Sequence, residues 1–141
     1  LGKLDAILTR RREQAARYSA LIGDARLSVR LPPAPDFGAS NFQSFTIRLE
    51  MLRFQTDRVR DDVVVRLQAA GIGAIAGIVP AHRERAYSAR VHAPLPHTDQ
   101  WASSAVMLPL FHALTEQDQG TVVRALGDAI EAVRAQSLSR A

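Results

Sequence analysis

The sequence predicts an α/β or α+β domain in which helices alternate with short strands. Three observations carry that reading. Apolar residues recur at helical spacing in three long segments, period-two alternation marks shorter segments between them, and Gly or Pro stands at several junctions. No repeat or low-complexity tract competes with this pattern, and nothing marks an internal domain boundary.

The first segment, residues 1–23, places Leu1, Leu4, Leu8, Ala15, Tyr18 and Ile22 on one helical stripe. Arg10, Arg12, Glu13 and Arg17 fall on the opposite face, and Gly23 is the expected stop. The chain opens inside this helix without a capping residue, as a sequence cut from something larger would. Leu27, Val29 and Leu31 then alternate with polar residues as a short strand, before Pro32, Pro33 and Pro35 impose a loop. In "NFQSFTIRLEM" the alternation predicts a strand that buries Phe45, Ile47 and Leu49.

Residues 57–70 read as a helix with Val59, Val63 and Leu67 on one face. Three adjacent valines argue for strand, but the i, i+4, i+8 register and the density of Asp and Arg outweigh them. Asp57 is the candidate N-cap, and Asp61 and Asp62 lie early in the helix, where its dipole favours anions. A short helix from Thr98 and a strand over Val106–Leu108 follow. The last helix is announced by Thr115-Glu116-Gln117-Asp118, a capping-box pattern, with Val122, Val123, Leu126, Ile130 and Val133 as its buried stripe.

Composition narrows the function. The chain has 141 residues, 47% apolar and only 6% aromatic, so its core is mostly aliphatic. A chain of this length can bury roughly two thirds of its unfolded surface, enough for one self-supporting domain. Cysteine is absent, which removes disulfides, thiolate catalysis and Cys-based zinc sites. No apolar run approaches the ~20 residues of a membrane helix, and no charged and apolar leader opens the chain. A cytoplasmic protein is the expectation.

Net charge is +4, from 18 basic against 14 acidic residues, and Lys3 is the only lysine. The arginines are spread along the chain, and Arg10-Arg11-Arg12 is their one cluster, without an aromatic platform. This favours a solvated basic surface over a nucleic-acid interface.

The stretch "GIGAIAGIVPAHRERAY", residues 71–87, combines three glycines with a His-Arg-Glu-Arg run. A phosphate-cradling loop requires strand, glycine turn, then helix. Here the glycines follow a helix and open a strand, spaced GxGxxxG. Gly71 therefore reads as the residue past a helix end with positive φ, and residues 73–79 as a strand. His82, Arg83, Glu84 and Arg85 come just beyond it. His82, His92, His97 and His112 form no i, i+4 pair and no HExxH pattern, so a metal site needs long-range convergence. Ser103-Ser104 lacks a nucleophile elbow. By chemistry alone, His82 reads first as a surface histidine.

The order of these motifs resembles the DegT/DnrJ/StrS family of sugar aminotransferases. "LGKLDAILTRRREQAARYSALI" resembles the family's long helix after its cofactor domain, and "NFQSFTIRL" its next strand. Residues 71–87 are similar to GI-x-T-R-R-G-I-x-x-A-H-R-E-P-A-Y. "LPHTDQWASSAVMLPLFHALTEQDQGTVVRAL" is similar to its closing segment. The resemblance covers practically the whole chain, in order.

It implies the small C-terminal domain of the aspartate-aminotransferase-like fold: residues 1–23 as a long connecting helix and 24–141 as an α/β (α+β) domain. Its short, mostly antiparallel sheet would pack against helices. Family members are pyridoxal-phosphate (PLP) enzymes that transaminate nucleotide-linked keto sugars, commonly with glutamate as donor, and are usually dimers with interfacial active sites. The implied partners are a large cofactor domain or subunit, a nucleotide-linked sugar and a second copy.

The resemblance also implies that the Schiff-base lysine and the phosphate-binding groups belong to the large domain, so this chain alone would hold no cofactor and contribute no catalytic residue. Lys3, its sole amine side chain, matches a solvent-facing family position. His82 falls on the family histidine and is implied, with Arg83 and Tyr87, to face the substrate. The first helix and the Pro-rich loop would pack on the large domain. Ala74, Ile75 and Ala76 stand where the family subgroup it resembles has T-R-R, so two guanidiniums suited to anion recognition are replaced by apolar groups. That departure keeps open a second reading, a non-catalytic interaction module with the same fold.

Overall fold

Helical spacing, strand alternation and turn residues are realised together in the computed structural model, which describes residues 2–33, 36–50, 57–87, 89–90 and 93–139. In chain order the described elements are α1 (Leu4–Asp24), β1 (Val29–Arg30), β2 (Phe45–Leu49), α2 (Asp57–Ala69), β3 (Ile75–Ala76), two 3-10 turns (Ala81–Arg83 and Arg85–Tyr87), α3 (Pro96–Ala102), β4 (Ala105–Leu108) and α4 (Glu116–Leu138). The strands form one antiparallel sheet in the order β1-β2-β4-β3. The expected mixed α+β class and antiparallel sheet are both present.

Register assigns the two faces of the sheet. Phe45 pairs with Leu108 and Ile47 with Val106, and directly opposed residues share a face. This face is buried in one apolar cluster with Ala15, Tyr18 and Ile22 of α1, Val63 and Leu67 of α2, and Leu126 and Ile130 of α4. Thr46, Arg48, Met107 and Ile75 lie on the opposite face. There the Arg48 guanidinium sits 5.2 Å from the centre of the Trp101 ring of α3, a cation–π contact.

Helix α4 begins as its sequence predicts. The Thr115 hydroxyl accepts from the Asp118 N–H at 3.1 Å, and the Asp118 carboxylate accepts from the Thr115 N–H at 2.9 Å. Val122, Val123, Leu126, Ile130 and Val133 are all buried. The Thr115 hydroxyl, and next its N–H, hold Asp118 below the usual carboxylate range. A lowered folded-state pKa gives stability that is present above the ordinary carboxylate range and lost as pH falls through the folded value. Loss of the capping hydroxyl in Thr115→Ala should cost about 1 kcal/mol at neutral pH. It should also flatten the acid limb of a stability–pH curve measured by urea unfolding, whereas an unchanged acid limb would mean the box contributes nothing.

Several boundaries depart from the expectation. Helix α1 passes through Gly23 to Asp24, and Arg26, not a glycine, takes the left-handed conformation after it (φ 50°). Arg26 N–H closes on the Gly23 carbonyl at 3.0 Å, so the chain turns by capping hydrogen bonds without needing glycine. Leu4 is exposed, so the expected stripe enters the core only in its second half; Leu1 lies outside the described residues.

Arg10 and Arg17, expected on the solvated face, are half-buried against α4 and the segment before it. Arg10 donates to the Leu114 carbonyl at 3.3 Å, and Arg17 pairs with Glu116 at 2.5 Å. Between them Gln14 is fully buried and donates to the Phe111 and Leu114 carbonyls at 2.9 and 3.0 Å. Gln119 of α4 returns a bond to the Gln14 carbonyl at 2.8 Å. The bonds these buried amide nitrogens donate to backbone carbonyls fix how α1 docks. Beside them the Tyr18 hydroxyl donates to the Pro109 carbonyl at 3.0 Å, and its burial pushes that hydroxyl's pKa up.

The valine run is helical: Val63 and Val64 face inward, and Val65 is 62% exposed. The side chain of Asp57, expected as the cap of α2, lies outside the described set. Helix α3 begins at Pro96, not Thr98, because proline is pre-set for the first helical turn. The strands expected over 27–31 and 73–79 are two residues each.

Candidate functional site

The turn beyond β3 carries the residues singled out from sequence. Gly71 ends the α2 region with φ 78°, as expected of a residue past a helix end. Strand β3 pairs Ile75 with Met107 and Ala76 with Val106, and the Gly77 N–H donates to the Ala105 carbonyl at 2.8 Å. Pro80 then starts the 3-10 turn Ala81–Arg83, and Arg85–Tyr87 follows.

His82 and Arg83 converge on one carboxylate that the sequence reading missed. His82 Nε2 lies 2.9 Å from Asp99 Oδ1, and Arg83 Nε donates to the same oxygen at 2.8 Å, with its Nη2 at 2.5 Å. Asp99 belongs to α3, so the contact ties the turn to a helix 16 residues further along the chain. The Arg83 hydrogen bonds, more than His82, hold Asp99 below the usual carboxylate range. An ionised carboxylate only accepts, so His82 Nε2 carries a proton and donates to Asp99.

His82 is 13% exposed, so it is less a surface histidine than composition and spacing suggest. Tyr87 is exposed and does not join the Asp99 cluster; the Arg90 guanidinium lies 5.6 Å from the centre of its ring. Residues 82–90 include Arg83, Arg85 and Arg90 against Glu84, a cationic balance suited to an anionic ligand. Ile75, where the resemblance implies an arginine, is 52% exposed and apolar.

Among the described residues, two clefts border α1. One, of about 310 Å³, lies between α1 and the Pro-rich loop and is lined by Arg12, Ala16, Pro32, Pro33, Phe42 and Phe45. The other, of about 550 Å³, is lined by Lys3, Ala6, Ile7, Arg11 and His112. Lys3 is exposed at the start of α1, with no carboxylate among the described lining residues. PLP needs an enclosed amine, a carboxylate for its ring nitrogen and donors for its phosphate. The residues here do not fit that group. Among the described residues, no cluster of three His, Asp or Glu side chains could hold a metal ion, and no helix is long and apolar enough to cross a membrane. His92 lies outside the described residues.

The fold and the turn define an antiparallel α+β domain that presents a carboxylate-anchored His-Arg pair at a sheet edge. By sequence, residues 1–127 match the DegT/DnrJ/EryC1/StrS aminotransferase family, and the chain belongs to that family. It is 29% identical over 132 residues to dTDP-4-dehydro-2,3,6-trideoxy-D-glucose 4-aminotransferase of Saccharopolyspora spinosa, covering 93% of this chain and 32% of that protein. The structure of DesI determined in the presence of its TDP-sugar product matches with TM-score 0.82 and 25% identity, over 100% of this chain and 36% of DesI. The PLP-form of Spr1654 from Streptococcus pneumoniae matches in fold, with TM-score 0.83 and 18% identity over 94% of this chain and 33% of that one. The chain thus spans about a third of the length of the relatives it matches.

Proposed function

We propose that the chain is the C-terminal small domain of a PLP-dependent nucleotide-sugar aminotransferase, with His82, Arg83 and Tyr87 facing the nucleotide-linked sugar. The observation that carries this reading is the pairing of the family match with the anchored His82–Arg83 turn. A guanidinium offers a planar donor fork to phosphate oxygens, and a histidine with a fixed tautomer offers a directed partner to a sugar hydroxyl. The cofactor would be held by a large domain, supplied in the same polypeptide or by a partner subunit, and the working unit would be a homodimer. The cleft between α1 and the Pro-rich loop, beside Phe37 at 96% exposure, is the surface proposed to meet that domain.

The chain by itself contributes substrate-side groups and no electron sink. Mixed with a cofactor-bearing large domain, it is expected to restore the absorbance of bound cofactor and turnover of a nucleotide-linked keto sugar with glutamate. Alone with PLP and borohydride, it should acquire no specific adduct on Lys3. Failure to associate or react would overturn the two-part reading, and a stoichiometric Lys3 adduct would overturn the assignment of cofactor chemistry elsewhere.

One observation favours a second reading, a non-catalytic interaction module. Ile75 leaves an exposed apolar side chain on the outer sheet face beside Met107, where the resemblance implies an arginine. In that case the chain would self-associate or capture a partner without turnover. A clean monomer in light scattering, with no apolar patch detected by dye binding, would argue against it.

A further inference from the structure

We propose that Asp99 is the positioning residue of this site: it fixes the location of the 81–83 turn and orients His82 and Arg83 toward the ligand. The inference rests on the reading that those two residues face a nucleotide-linked sugar.

Neither 3-10 turn contains a fully buried residue, so side-chain contacts rather than a buried core hold it in place. Its backbone bonds are local: Arg83 N–H to Pro80 O at 2.9 Å, Glu84 N–H to Ala81 O at 3.1 Å, and Tyr87 N–H to Glu84 O at 2.8 Å. Bonds between residues three apart set the shape of a turn but not its place on the molecule.

Asp99 stands on a fixed support. In α3, Ala102 is fully buried and its carbonyl accepts from Arg60 of α2, while Trp101 stacks under Arg48 of β2. Ser104 closes the end of α3 through its hydroxyl, which donates to the Gln100 carbonyl at 2.6 Å. The central strand β4 starts at the next residue. One oxygen of Asp99 then collects both side chains of the turn. Placement passes from the sheet through α3 and Asp99 to His82 and Arg83.

Asp99 is 38% exposed, and ion pairs at that exposure add little to folding stability. Orientation and stability therefore separate experimentally. The test is a dTDP-glucose titration of the whole 141-residue chain, ¹⁵N-labelled and followed by NMR, in wild type, Asp99→Asn, Asp99→Glu, His82→Ala and Arg83→Ala.

Asp99→Asn should keep the melting temperature within a few degrees, yet weaken binding about tenfold. Heteronuclear NOE values should fall for the amides of 81–87 and stay constant in α4. Asp99→Glu should recover part of both losses. If His82→Ala and Arg83→Ala weaken binding while Asp99→Asn does not, the positioning role is overturned and the site reading stands. If none of the variants alters binding, the site reading falls and takes this inference with it. Loss of melting stability in Asp99→Asn without selective disordering of 81–87 would mark the residue as structural, against the proposal.

Discussion

Replacing Phe45 with alanine should destabilise the domain by about 3–5 kcal/mol, the range for emptying a buried aromatic site. Phe45 is 0% exposed on β2, pairs with Leu108, and stacks on Tyr18 with ring centres 5.1 Å apart. Phe42 approaches the same ring at 6.4 Å. Truncation removes the contact that joins α1 to the sheet and opens the floor of the neighbouring cleft. Domains are stable by only about 5–15 kcal/mol, so this single change should remove a large share of the total. Urea unfolding would read it directly. Val65→Ala, at an exposed position of α2, should stay within about 0.5 kcal/mol. A Phe45→Ala cost below about 2 kcal/mol would mean that α1 is not packed on the sheet through this ring.

The parts of the fold that sequence foretold are those governed by short-range chemistry. The Thr115–Asp118 box needs residues three apart, the α4 stripe needs a 3.6 period, and the inward face of β2 needs a period of two; all three are present. Gln14 and Gln119 escaped notice because their burial depends on carbonyls some 100 residues away. Polar type alone places such residues outside. Gly23 misled for a related reason: glycine permits a left-handed turn without requiring one, and hydrogen bonds at the end of α1 put Arg26 there instead.

The candidate site was legible only in part. Chemistry read from sequence treats His82 as an ordinary surface histidine, and only the family resemblance marks it for a substrate. Asp99 carried no local signal. It lies 17 residues beyond His82, on a helix whose start was expected two residues late, and its role exists only once α3 and the 3-10 turn are brought together. The class of the domain was therefore accessible from patterning, whereas the anchor of its functional turn is a tertiary property.

Gly77 shows how closely that turn is tied to the sheet, and Gly77→Ala is the second change expected to have a large effect. A Cβ at this position would lie 2.6 Å from Thr46 Cγ2, 3.0 Å from Ala105 Cβ and 3.2 Å from the Ala105 carbonyl carbon. The conformation is open to any residue, so the obstacle is space. Two of the obstructing groups belong to β4 and one to β2, and the Gly77 N–H must still reach the Ala105 carbonyl. The segment has to lift away from the sheet, at about 1–3 kcal/mol for overpacking. His82 would move with it and strain the contact to Asp99. Thr46→Ser deletes the nearest obstructing atom, so the double variant should recover part of the loss, but not all, because Ala105 remains. A double-mutant cycle by urea unfolding isolates that coupling, since the two side chains would touch directly. Gly77→Ala with near-wild-type stability, or a cycle with no coupling to Thr46→Ser, would show that β3 approaches the sheet less closely than this geometry requires.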